Sequence, residues 1–206
     1  TKCLKRIAWY DNIPVVSYFV LRGRCRACRA KFPIEYAAVE ALTGVVFAGF
    51  YLAYFVFLTR GADFLHWHPL VRWAVYFVHM ALASALIVSS AIDLKYKEIY
   101  TVVTNWGMAL AVLLSFLVPE LQSHSRAPAW FAMARANAAV SSVLGLVAGG
   151  GLIWLTRLLG RAAFRREAMG FGDVLLMGMI GAVLGWDGAV LVFFIAPFFG
   201  LLYGLW

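Results

Sequence analysis

Six stretches of this chain are apolar over lengths that a water-soluble fold has no way to use. Residues 37–59 form a continuous run broken only by Glu40, residues 71–92 a second, 102–118 a shorter third and 138–159 a fourth. Residues 174–185 are too few to cross a bilayer unless neighbours extend them, and 189–206 supply the last. An α-helix rises about 1.5 Å per residue, so roughly 20 residues span the ~30 Å hydrocarbon layer. Composition agrees: 64% of the 206 residues are hydrophobic, 14% are charged and the mean hydropathy is +0.83. Soluble domains sit near half apolar and a quarter charged. These numbers exclude a soluble domain and a disordered chain, and predict an all-α, polytopic integral membrane bundle.

Charge placement orients the bundle. The net charge is +8, and 14 of the 18 Lys and Arg residues fall in residues 1–36, 93–101 and 157–173. The alternate stretches hold the other four. If the fifth segment crosses, the richer set lies on one side, which the positive-inside rule makes the cytoplasm. A basic excess of this kind needs no nucleic acid to explain it; membrane lipid is the expected contact. The chain divides into a polar, basic module, residues 1–36, and a transmembrane part, residues 37–206, of about six apolar helical segments.

Carboxylates at membrane depth are costly and therefore candidates for function. Asp93 ends the second span and Asp173 opens the fifth, in Met169-Gly170-Phe171-Gly172-Asp173. The charge-derived topology places both at the cytoplasmic face. Two facing aspartates cannot both ionise at close range, so they share a proton. One then draws a proton from water while the other donates to the scissile group. Gly170 and Gly172 would let the backbone bend and a peptide approach. Spacing alone leaves other readings open: Asp173 as a helix cap, and Gly-x-Gly as close helix packing.

Further residues carry two readings each. Glu40 is an active-site or substrate-binding carboxylate at the cytoplasmic mouth, or a snorkelling, hydrogen-bonded one. Cys3, Cys25 and Cys28 are ligands of a metal or ordinary thiols. Gly149-Gly150-Gly151 follows no strand and reads as helix packing rather than a nucleotide loop. His66 and His68 alone make a poor metal site, none of the four histidines is assigned a role, and no Ser/His or Cys/His nucleophile pair stands out.

Five stretches in one order resemble the type IV prepilin peptidases, bacterial membrane aspartic peptidases of the GxGD class. They are Trp9-Tyr10-Asp11-Asn12-Ile13-Pro14, Leu21-Arg22-Gly23-Arg24-Cys25-Arg26-Ala27-Cys28, Val39-Glu40-Ala41-Leu42-Thr43-Gly44, Ile92-Asp93-Leu94 and Met169-Gly170-Phe171-Gly172-Asp173. The resemblance implies that Asp93 and Asp173 are the catalytic pair. It implies cleavage of the basic leader of type IV prepilins or type II secretion pseudopilins, after a glycine and at the cytoplasmic face of the bacterial inner membrane. It also implies N-methylation of the new N-terminus with S-adenosylmethionine as donor.

The same resemblance makes Cys3, Cys25 and Cys28 three of four cysteines in a zinc-ribbon-like module, with structural Zn2+ in the full-length protein. It further implies that the chain is truncated at both ends. Two departures from the family pattern stand out: Ile99-Tyr100-Thr101 replaces its Ile-Pro-Asp, and Leu175 replaces its lysine after the second aspartate. The alternatives are a preflagellin-type or other GxGD protease, a non-catalytic membrane scaffold, and a proton-coupled transporter using the same carboxylates.

Overall fold

The structure is a computed structural model that describes residues 5–57, 63–122, 134–165 and 169–204. The chain divides into two compact units, Thr1–Gly61 and Ala62–Trp206. Among the described residues the regular structure is helical, with one isolated antiparallel bridge between Arg24 and Lys31.

The first unit begins with a 3₁₀ turn, Trp9–Asn12, and a short helix α1 (Val16–Val20). Between them Val15 has φ 62° and ψ −52°, and the Val16 N–H donates to the Pro14 carbonyl at 2.6 Å. That is a γ-turn of the strained, positive-φ kind, and Val15 is β-branched, so something must hold it. The Glu40 carboxylate does: the Val15 N–H donates to its Oε2 at 2.8 Å. After α1 the chain forms a tight loop over residues 23–32. The Cys25 N–H donates to the Ala30 carbonyl at 2.9 Å, and the Phe32 N–H to the Gly23 carbonyl at 3.0 Å. Gly23 sits at φ 64° under the Tyr18 ring, where a side chain would be strained and crowded. Arg26 crosses to Asp11 with a two-toothed pair, Nη2 to Oδ1 at 2.7 Å and Nε to Oδ2 at 2.9 Å. That guanidinium holds the Asp11 carboxyl below its ordinary pKa.

Pro33 sets an extended backbone and α2 (Ile34–Tyr51) follows, lengthened by a π-helical turn, Leu52–Val56. Proline is preset for the entry to a helix and lacks an N–H that would go unpaired there. Residues Ile34–Val56 have mean hydropathy 1.7, and Leu42 and Val45 are exposed. An apolar helix with such exposed side chains suits lipid.

The second unit contains α3 (Asp63–His66), α4 (Pro69–Tyr96), α5 (Thr101–Leu117), a 3₁₀ turn Pro119–Gln122, α6 (Ala134–Phe164) and α7 (Phe171–Gly204). His68 caps α4, its Nδ1 accepting from the Leu70 N–H at 3.3 Å, with Pro69 behind it. With Ile34–Val56, three helices here are long and apolar enough to cross a membrane, making four in the described residues; Thr101–Leu117 is shorter. A core of Leu82, Ala111, Met179, Ala182 and Val183 joins α4, α5 and α7.

Helices α6 and α7 pack backbone to backbone. A Cβ on Gly145 would collide with the Gly181 carbonyl, and one on Gly149 with that of Met177. Close glycine contact of this kind is how apolar helices gain packing energy when lipid offers no hydrophobic drive. Gly151, third in its run, faces open space.

The structure joins the fifth and sixth apolar segments in α7 but breaks that helix at Gly185, with φ 84° and ψ 176°. A Cβ on Gly181 would stand 3.3 Å from Cβ of Ala189, and Gly149 borders both Met177 and Ala189. In one straight helix residues 181 and 189 would be about 12 Å apart. The chain therefore folds back at Gly185, and both arms lie on α6. Ending a helix leaves its last carbonyls without partners. Here Gln122 Nε2 donates to the carbonyls of Ala182 at 3.0 Å and Val183 at 3.3 Å, and Ser142 Oγ donates to Ala182 at 2.6 Å.

Candidate active site

Asp93 lies in the last turn of α4. That turn is closed by Lys97, left-handed at φ 56°, whose N–H donates to the Asp93 carbonyl at 2.9 Å. The cap stops the helix and sends the chain through Glu98 and Ile99 into α5. Asp173 is the third residue of α7, and its carboxylate accepts from the N–H of Gly170, the residue before the helix. Reaching back to the cap residue in this way satisfies one of the helix's open donors and suits the positive dipole end. Both side chains are half-buried. Although eighty residues separate them, their carboxylates lie close enough for their charges to interact.

Ile99 links the two strands of this arrangement. A Cβ on Gly172 would sit 2.8 Å from the Ile99 Cβ, so the absent side chain is what lets the α4–α5 loop seat against α7. Neither Gly170 nor Gly172 adopts a positive φ. Gly172 is required by close approach, and Gly170 has ordinary room, with Asp173 Oδ2 at 3.7 Å. The stretch Ile99-Tyr100-Thr101 thus supplies the packing residue, the N-cap and the first residue of α5.

Arg157, on α6, was visible in the sequence only as one basic residue among several. Its Nε donates to the Met169 carbonyl at 3.1 Å, and its guanidinium lies 5.9 Å from the centre of the Phe171 ring. The two contacts fall on either side of Gly170 and clamp the turn that carries Asp173. A charged residue inside the apolar Trp154-Leu155-Thr156-Arg157-Leu158-Leu159 was the available signal.

Glu40 belongs to the first unit, where its carboxylate accepts from the strained Val15. This contact makes Glu40 a hydrogen-bonded carboxylate. Cys25 and Cys28 lie in the 23–32 loop; Cys3 lies outside the described residues. The Arg29 N–H donates to the Cys25 carbonyl at 3.0 Å, which closes one turn around the pair. Two thiols three residues apart on such a turn fit half of a tetrahedral thiolate set. Among the described residues no three His, Cys, Asp or Glu side chains gather as a metal site.

Comparison with known proteins decides the family. Residues 1–54 match the bacterial Peptidase A24 N-terminal domain, and residues 80–205 match the type IV leader peptidase family. The chain belongs to the type IV leader peptidase family. It is 28% identical over 205 residues to a prepilin leader peptidase/N-methyltransferase of Myxococcus xanthus, covering 99% of this chain and 51% of that protein. It is 28% identical over 200 residues to the Neisseria gonorrhoeae protein of the same name, covering 97% of this chain and 59% of the relative. It is 31% identical over 203 residues to a type 4 prepilin-like proteins leader peptide-processing enzyme of Escherichia coli, covering 98% and 64%. The chain thus spans between about half and two thirds of the length of these curated relatives. No solved structure matches it.

Proposed function

We propose that this chain carries the aspartic centre of an enzyme that removes the basic leader from type IV prepilins or pseudopilins. The observation that carries the reading is the approach of Asp93 and Asp173, from distant parts of a membrane bundle belonging to the leader peptidase family. In this reading the two carboxylates come together around the substrate and hold one proton between them. The ionised member takes a proton from water, which attacks the scissile carbonyl carbon. The protonated member donates its proton to the carbonyl oxygen; as the resulting gem-diol breaks down, the proton taken from water passes to the leaving nitrogen and the first member recovers its own from the hydroxyl. A coupled pair titrates as a unit, so acid and base roles belong to the pair.

The Gly170–Gly172 turn borders this pair and lies open on its Gly170 side, which suits an extended peptide segment. Basic residues cluster on the sequence segments that share the pair's end of the topology, and the positive-inside rule puts that end at the cytoplasmic face of the inner membrane. The basic module, residues 1–36, precedes the membrane domain, residues 37–206. In the full-length protein Cys3, Cys25 and Cys28 would be ligands of a structural zinc ion, whose binding energy helps fold a module with little core. After cleavage the new N-terminus is methylated. S-adenosylmethionine supplies the methyl group when bound, a reading supported by the N-methyltransferase names of relatives.

The test uses the full-length protein in detergent with a prepilin-like substrate and S-adenosylmethionine, beside the Asp93→Asn and Asp173→Asn variants. Mass spectrometry reads the product N-terminus. The expected product begins after the leader glycine, gains a methyl mass, and is absent with either variant. Intact substrate with folded wild-type protein overturns the peptidase reading.

A further inference from the structure

The first unit holds a cleft of about 430 Å3 between the end of α1 and the 23–32 loop, lined by Arg22, Arg24, Arg26 and Arg29 together with Val20, Leu21 and Cys25. Arg26 is engaged with Asp11. Arg22, Arg24 and Arg29 have no side-chain hydrogen bond or ion-pair partner among the described residues. No acidic residue occurs between Asp11 and Glu35 in sequence. Among the described residues no carboxylate lines the cleft, and Glu40 accepts from the Val15 N–H.

Three guanidiniums facing one cleft repel one another unless an anion joins them. The backbone nevertheless sets them there: Arg22 at φ 51° and Arg29 at φ 58° are both left-handed, a conformation costing a non-glycine residue on the order of 1 kcal/mol. The loop hydrogen bonds around Gly23 and Cys25 hold both in place. Guanidinium forks match the paired oxygens of a phosphate, and a basic peptide leader is repelled.

Position selects the source of the phosphate. The Val15–Glu40 hydrogen bond ties the segment leading into α1 to the second turn of α2, six residues, or about 9 Å, along a helix apolar enough to cross a membrane. On α1 the side chains of Val16, Phe19 and Val20 are exposed. A membrane helix enters the bilayer through the headgroup layer, so an arginine cleft in the segment tied to that entry suits a lipid phosphate.

We propose that this cleft binds the phosphodiester headgroup of an anionic phospholipid, with Arg22, Arg24 and Arg29 as its ligands. The test is native mass spectrometry of delipidated full-length protein titrated with phosphatidylglycerol, phosphatidylcholine or inorganic phosphate. Wild-type protein is expected to retain phosphatidylglycerol at least about tenfold better than phosphatidylcholine. The Arg22→Gln/Arg24→Gln/Arg29→Gln variant is expected to lose that preference, while Lys5→Gln/Arg6→Gln/Arg165→Gln, which removes the same charge elsewhere, keeps it.

The triple Arg→Lys variant keeps the charge and loses the forks, and is expected to bind severalfold more weakly than wild type. It also carries the test if the glutamine variant fails to fold. Unchanged lipid preference in the glutamine variant, or equal loss in the control, overturns the proposal. So does displacement of the lipid by an equal concentration of inorganic phosphate.

Discussion

Arg157 offers the sharpest way to perturb the candidate centre without touching either aspartate. Its bond to the Met169 carbonyl has a charged donor and a length of 3.1 Å. Such bonds contribute about 1.5–3 kcal/mol when buried, and the lower end applies to a half-buried side chain. The Phe171 contact at 5.9 Å is near the outer range for a cation over a ring and adds about 0.5 kcal/mol. Together, about 2 kcal/mol holds the turn that presents Asp173.

If all of that ordering is used in the transition state, Arg157→Gln lowers kcat by about 30-fold, since each 1.4 kcal/mol is tenfold. KM is expected to stay near wild type, because the clamp holds the protein's own turn. Arg157→Lys keeps a charge but has neither the Nε–H nor the planar face, and is expected to lose five- to tenfold. The assay is steady-state cleavage of a prepilin-like substrate by full-length protein, well below each variant's measured Tm, with Asp173→Asn as the inactive reference. Wild-type kcat in Arg157→Gln refutes the positioning argument. A rise in KM alone, or lysine no better than glutamine, refutes it equally.

Three further outcomes follow from the packing and the charges. Gly145→Ala drives a methyl into the Gly181 carbonyl and is expected to destabilise by about 1–3 kcal/mol in thermal unfolding, while Gly151→Ala, facing open space, leaves Tm unchanged or raises it. Gln122→Met and Ser142→Ala each leave the Ala182 carbonyl one donor, but together orphan it, so a double-mutant cycle should show coupling of about 1 kcal/mol; strict additivity refutes the capping role. Because Asp11 has its pKa lowered by Arg26, the pair's contribution is complete above the unfolded carboxylate value of about 3.9 and fades as pH falls through the lower folded value. Hydrogen exchange around residues 9–12 should therefore be constant from pH 7 to about 5 once corrected for intrinsic rates, and protection should be lost only below about pH 4. Asp11→Asn should remove that acid limb.

The membrane class, the helical content and the presence of two well-placed aspartates were readable because they depend on composition and order along the chain. An apolar run of twenty residues has one solvent available to it. The Gly-Phe-Gly-Asp stretch announced itself by type, and the five stretches in register pointed to the family. The reason for Gly172 was not readable, since it depends on Ile99, seventy-three residues earlier, pressing where a Cβ would be. Gly170 looked equivalent in sequence and has room to spare. The hydrogen bond from the strained Val15 to Glu40 was likewise not readable in the sequence.

By itself, then, the sequence determined that this chain is a basic, helical membrane protein and which residue types were available for chemistry. Hydropathy and charge act on each residue through its solvent, and a solvent preference is written one residue at a time. The sequence separates two apolar segments here, but tertiary structure alone placed the break at Gly185 and folded the arms together, as φ and the approach of Gly181 to Ala189 show. It alone recruited Gln122 and Ser142, sixty and forty residues away, to the carbonyls that the break exposed. It alone set Arg157 against the turn before Asp173. Each of these is a pairing of groups distant in sequence, made by hydrogen bonds and contacts that exist only once the helices have packed.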